Sequence, residues 1–145
     1  MAEWRRLKFK RPELKFRRRE SIEFFDTIRK RWIVLTPEEW VRQHIIEWLK
    51  DSGIEQQRVI LEYPVELNGQ PLRADIVVVG QDTLPKLIVE CKAPEVEINQ
   101  AVLDQVVRYN YILKAEYIML TNGLKSYLYS FDGEKYHPTK SLHSL

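Results

Sequence analysis

Apolar and polar positions change period several times along these 145 residues. Val41, Ile45, Trp48 and Leu49 recur at intervals of three to four, the stripe of an amphipathic helix. Thr36 supplies its N-cap, Pro37 the first helical position and Glu39 the third residue of a capping box, and Asp51-Ser52-Gly53 ends it. Residues 58–67 read as a strand in which Pro64 implies an edge or a bulge, and Asn68-Gly69 predicts a hairpin turn. Two short runs rich in Val, Ile and Leu follow, Ile76–Val79 and Leu87–Lys92, separated by a hairpin-type loop at 80–86. A second helix is predicted over about 97–114, then a strand at 116–121. Asn122-Gly123 turns into Leu124–Phe131, and Asp132-Gly133 turns into a last short strand. Before residue 33 the pattern is weaker. Leu7 and Phe9 alternate until Pro12 without a firm element, and Ser21–Arg31 reads as a short helix or an extended arm. The order α-β-β-β-α-β-β predicts an α/β domain, a mixed β-sheet flanked by helices.

Composition narrows this picture in a few respects. The length suits one domain, read as a basic N-terminal extension over 1–32 and a folded unit over 33–145. A hydrophobic content of 44% supports a real core. A single cysteine, Cys91, excludes a disulfide framework and a thiolate zinc site. No apolar run approaches twenty residues and the start is not signal-like, so no membrane partner and a cytoplasmic location are expected. His44, His137 and His143 are scattered without a metal-ligand partner one turn away and are expected to be structural or solvated. No glycine-rich phosphate loop is present, which argues against an ATP-driven function within this chain.

Charge is unevenly spread. Residues 5–19 carry nine Lys or Arg against one acid, Glu13, a local net of +8 in a chain whose total is +2, so the remainder sums to −6. Trp4, Phe9 and Phe16 are interleaved with these cations. Two readings stay open: an arm that tracks phosphates through counterion release, or a solvated basic tail or edge strand guarded by Lys and Arg.

Three further charges stand where apolar residues are expected. Asp75 sits at the head of Ile76–Val79, and Glu90 and Lys92 close the run Leu87–Lys92. Buried charge costs several kcal/mol unless it is paired or coordinates a metal. Residues two apart on a strand share a face, so Glu90 and Lys92 project together and Cys91 points away as a small core residue. If the two runs pair as a hairpin, Asp75 and Glu90 converge. Two carboxylates suit Mg²⁺, or equally Mn²⁺, through hard oxygen ligands, with the Cys91 carbonyl as a further donor. A lysine beside them orients water or stabilises developing charge. Taken singly, Asp75 is also an ordinary turn carboxylate, and Glu90 and Lys92 an ordinary ion pair.

The ordered set Asp75 … Glu90-Cys91-Lys92 resembles the PD-(D/E)xK nuclease superfamily, with Ala74 where the name has proline. Gln105 and Tyr109 fit the Gln-x-x-x-Tyr motif that many of these nucleases carry on the following helix. More narrowly, residues 33–131 are similar to the N-terminal nuclease-like domain of type I restriction enzyme R subunits. The resemblance implies a restriction-endonuclease-like core (α-β-β-β-α-β) and Mg²⁺-dependent hydrolysis of DNA phosphodiesters. It implies Asp75 and Glu90 as metal ligands and Lys92 as the residue that positions water. Glu38, on the apolar face of the first helix, and Gln105 would support the site; Glu39 remains an alternative helix acid. Arg42, one turn after Glu38, is its ion-pair partner or a phosphate contact, and Tyr109 a DNA contact or a core residue. Expected partners are DNA and other restriction-modification subunits, with a homodimer left open. The rival expectation is a nucleic-acid-binding or assembly module that keeps the fold without turnover.

Overall fold

The computed structural model describes residues 4–142 and 145; His143 lies outside the described residues. A small antiparallel sheet comes first: β1 (Phe16–Arg18), β2 (Ile22–Asp26) and β3 (Arg31–Val34). The segment from Ser21 is thus a strand rather than a helix. Arg17 fixes this sheet twice, bonding Glu23 across β1–β2 at 2.6 Å and lying 4.3 Å from the Trp32 ring centre. Helix α1 (Pro37–Asp51) follows, with the Thr36 hydroxyl accepting the Glu39 N–H. The main sheet holds six strands in chain order: β4 (Val59–Leu67), β5 (Gln70–Val79), β6 (Pro85–Cys91), β7 (Tyr117–Thr121), β8 (Ser126–Phe131) and β9 (Tyr136–Pro138). All neighbours are antiparallel except β6 and β7, which are parallel and joined through α2 (Gln100–Leu113). The expected mixed sheet and its α-β-β-β-α-β order are realised, and Pro64 lies on an edge strand as its missing N–H requires.

The sheet separates two cores. On one face Trp40, Val41, Ile45 and Leu49 of α1 pack with Ile76, Val78, Leu87, Val89, Cys91 and Met119. On the other, Val102, Val106 and Tyr109 of α2 pack with Val77, Val79, Ile88, Ile118 and Leu120. Strand β5 changes sides midway. Ile76 faces the α1 core while Ala74, two residues earlier, faces the α2 core. Its neighbour β4 does the same between Leu61 and Tyr63, which pair with Ile76 and Ala74. The residues at the crossing are Glu62, held at a left-handed φ of 54°, and Asp75. Strand alternation would place every second residue on one face; the twist here lifts Asp75 out of regular core packing. Asp75 is therefore mid-strand, not the head of a strand.

His44 is buried on α1, donating from Nδ1 to the Trp40 carbonyl at 2.7 Å. Burial pushes its pKa down, the Trp40 bond opposes this, and Arg11 adds to the fall. Below the unfolded value of about 6.5 the unfolded chain takes up a proton that folded His44 refuses, so stability must fall as pH drops through that region. The urea midpoint is expected to decline between pH 7.5 and 5.5, and to decline less in His44→Asn whatever that variant's absolute stability. Equal declines in both proteins would remove His44 from the account.

Candidate active site

The register of β5 and β6 brings the two carboxyls together. Ile76 pairs with Val89, and one step further along the same register Asp75 faces Glu90. Regular pairing stops there, and the Asp75 Oδ2 accepts the Cys91 N–H at 2.8 Å, closing the gap with a side chain. Glu90 is only 3% exposed, beside Leu120 of parallel β7. Its pKa is pushed up to about 10, by burial first and then by a hydrogen bond with Asp75 and the negative charge of Asp75, against the opposing pull of Lys92. Burial and the neighbouring Asp75 charge both disfavour the ionised form of Glu90.

Lys92 follows the end of β6, where its N–H donates to the Thr121 carbonyl at 2.9 Å and carries the β6–β7 ladder one step further. No ion pair holds its ammonium among the described residues, yet its charge stabilises the ionised forms of both Glu90 and Glu38. Glu38, in the first turn of α1, keeps one side open to solvent. Loss of water raises its pKa, and the charge of Asp75 raises it further. Asp75, Glu90, Lys92 and Glu38 are thus assembled where the end of β6 meets the middle of β5.

Glu39 points elsewhere. It is buried, and its carboxylate takes both oxygens' worth of bonds from Arg29 Nη2 (3.0 and 2.9 Å) and from Nε and Nη2 of Arg42. The capping-box role expected of its side chain is displaced by these two guanidiniums, which are stronger partners than a solvent-accessible N–H. Arg42 accordingly pairs with Glu39 at i−3, not with Glu38. Its Nη1 donates to the Asp75 carbonyl at 3.3 Å, bracing the chain where β5 changes face. With its guanidinium buried against these partners, Arg42 acts in this fold as a positioning residue. Tyr109 is 4% exposed in the α2 core, and its hydroxyl accepts from Gln105 Nε2 at 2.9 Å. Gln105 is the half-buried member of that pair.

Sequence reasoning missed the support beneath the site. Asp26 accepts the N–H groups of Ile28 and Arg29 and the Arg29 Nε, and Gln43 reaches it at 3.3 Å. Arg29 thereby reaches Glu39 with its orientation fixed. The Asp26 bonds to residues 28 and 29 are those of a local turn, but Gln43 and Glu39 come from α1 with no shared spacing, so no local signal tied that turn to the site. Glu62, with its left-handed backbone opposite Asp75, was equally silent.

Among the described residues no group of three or more His, Cys, Asp or Glu side chains forms a ready-made metal cage. The centre offers two carboxylates and neighbouring main-chain oxygen. That set fits a hard divalent cation that retains several waters, and two facing carboxyls, one of them buried, mark where positive charge is wanted. Among the described residues, no helix is long and apolar enough to cross a membrane.

Comparison with known proteins adds the family. No curated protein matches the chain. Among solved structures it is similar to the type IIG restriction endonuclease BpuSI, at 25% identity over 67% of this chain and 11% of that one, with a TM-score of 0.39. The chain thus spans a small part of that enzyme's length. Residues 37–144 match the family model described as type I restriction enzyme R protein N terminus (HSDR_N), a stretch that begins at α1 and contains Glu38, Asp75, Glu90, Lys92 and Gln105. The chain belongs to the type I restriction enzyme R protein N-terminal family.

Proposed function

We propose that this restriction-enzyme-family, nuclease-like domain is a metal-dependent deoxyribonuclease that hydrolyses DNA phosphodiester bonds. The observation that carries the reading is the buried Glu90 carboxyl set against Asp75 with the unpaired Lys92 ammonium alongside. A structural ion pair would have joined Lys92 to Glu90; among the described residues no such pair forms, and burial with the Asp75 charge pushes the carboxyl's pKa up to about 10. Asp75 and Glu90, with the Cys91 carbonyl, would hold Mg²⁺ or Mn²⁺. When bound, such a cation supplies positive charge to the phosphoryl oxygens and acidifies water. Lys92 orients the attacking water for in-line approach and offsets charge that builds on the phosphoryl group. Glu38, its pKa raised by lost water and by Asp75, takes up a proton from that water more readily than an ordinary carboxylate. Gln105, ordered by Tyr109, contributes a polar edge from α2. DNA as substrate rests on the restriction-enzyme family, whose other subunits are the expected partners; a second copy of the chain is a further candidate.

The test uses supercoiled plasmid and single-stranded DNA with Mg²⁺, Mn²⁺ or EDTA. Cleavage is expected with either ion and none with chelator. In parallel, a cation present at tenfold over its dissociation constant should raise Tm by roughly 5 °C, through about 1.4 kcal/mol of linkage. Neither cleavage nor a Tm shift with either ion would leave a nucleic-acid-binding or assembly module as the reading.

A further inference from the structure

The cations of residues 5–11 lie on an ordered segment, not a loose tail. Trp4 packs on Trp40 with ring centres 6.0 Å apart, and the Trp40 Nε1 donates to the Arg5 carbonyl at 2.9 Å. Leu7 is buried over Gly123, so tightly that a Cβ there would stand 2.7 Å from the Leu7 Cδ1. The Lys8 N–H donates to the Gly123 carbonyl at 2.9 Å. Phe9 meets Trp48 edge-on. Apolar side chains and backbone thus fasten the segment while Arg5, Arg6 and Lys8 stay exposed.

Both anchors sit beside the active site. Trp40 is two residues from Glu38, and Gly123 is two residues from Thr121, whose carbonyl receives the Lys92 N–H. Two residues span at most roughly 7 Å. Arg5, Arg6 and Lys8 have no acidic partner among the described residues, in contrast to Lys10, which lies 3.6 Å from Glu47 and 3.5 Å from Asp51. Arg11 lies 5.2 Å from the Trp40 ring centre, adding charge at the same anchor. Charge balance supplies the reason for such a strip. Without residues 5–19 the chain sums to −6, and its site is built of carboxyls. An acidic body repels a polyanion, and a fixed row of cations at the mouth reverses that. These residues precede the stretch that matches the family model, which begins at 37.

We infer that Arg5, Arg6 and Lys8 form a phosphate-contacting strip that docks the backbone of duplex DNA beside the Asp75/Glu90/Lys92 centre. The inference rests on the proposed nuclease reading for its choice of DNA, but its test does not depend on turnover. Binding of a fluorescent 20-base-pair duplex is measured by anisotropy in EDTA across a salt series. The proteins are the wild type, Arg5→Gln/Arg6→Gln/Lys8→Gln, and a charge-matched control, Lys50→Gln/Lys135→Gln/Lys140→Gln. The first triple variant is expected to bind about tenfold or more weakly at 0.1 M salt, with the log–log salt slope smaller by about 2–3, while the control stays near the wild type. Near-UV circular dichroism, sensitive to Trp4 and Trp40, verifies that the anchors persist. Equal weakening in both triple variants, or none in the first, overturns the inference. So does a loss confined to duplex RNA, which would make DNA the wrong partner. Weakened binding in a protein that never cleaves would keep the strip and discard the nuclease reading; cleavage with unchanged binding would do the reverse.

Discussion

Changing Asp75 to Asn should abolish metal-dependent cleavage, by at least about 10³-fold, in a protein that stays fully folded. Asparagine keeps the shape and an oxygen that can still accept the Cys91 N–H, now made at 2.8 Å. The charge is lost, and an NH₂ donor replaces the other carboxyl oxygen. That change removes the Asp75 charge that, after burial and a hydrogen bond, helps push the Glu90 carboxyl up to about 10, so heat stability should hold or rise, as expected where a site keeps charges that the fold does not need. A cation, however, would lose one of its two anionic ligands, and the Tm rise with Mg²⁺ should vanish together with cleavage. Lys92→Ala separates the roles. It should cost about 10²–10³-fold in cleavage, the loss typical of one preorganised stabilising group, yet retain the Tm rise, because Lys92 acts on water and phosphoryl charge and not on the cation. Plasmid nicking rates and thermal scans on the three proteins decide the matter. An Asp75→Asn protein that cuts normally, or one that unfolds, would show that the carboxyl pair is structural.

Much of this centre was legible because its residues lie on elements with clear periods. The stripe of Val41, Ile45 and Leu49 and the cap at Thr36 gave α1 its start and its buried face; Glu38, expected to turn towards the sheet, lies exposed at the rim within reach of the Asp75 and Lys92 charges, and Glu39 is the buried acid. Hairpin logic brought Asp75 to Glu90. What stayed hidden depends on contacts distant in sequence. Ile22, Phe24, Phe25 and Ile28 satisfy a helical spacing about as well as a strand's, and only pairing with β1 and β3 decides for the strand. The change of face at Asp75 requires Glu62 to adopt a left-handed backbone, which a glutamate seldom does, so no residue type signalled it. Glu39 is the sharpest case. Its position fits a capping box, but Arg29, ten residues back and fixed by Asp26, claims its carboxylate together with Arg42.

That arrangement makes adjacent glutamates opposite in effect. Glu39→Ala should destabilise the protein by about 3–5 kcal/mol, the cost of leaving buried charge without its partner, out of a typical total of 5–15 kcal/mol. Arg29 would keep Asp26 and Glu62, but Arg42, only 7% exposed, would keep just the Asp75 carbonyl at 3.3 Å and the Glu62 carboxylate at 3.9 Å, too far for a hydrogen bond. A drop in Tm of roughly 10 °C or more follows for a domain of this size. Glu38→Ala, at a solvent-facing position, should change stability by less than about 0.5 kcal/mol and instead lower the cleavage rate. A double-mutant cycle with Arg42→Met locates the cause. If unpaired charge is what hurts, the double variant will be less destabilised than the two single losses combined, with a coupling of about 1–3 kcal/mol. Strict additivity in urea unfolding would mean that Glu39 acts through packing alone. Arg42 touches both Glu39 and the Asp75 backbone, so a double variant that regains stability but not cleavage would show what the ion pair is for: the buried arginine braces the chain where β5 changes face, and so keeps the Asp75 carboxylate aimed at Glu90.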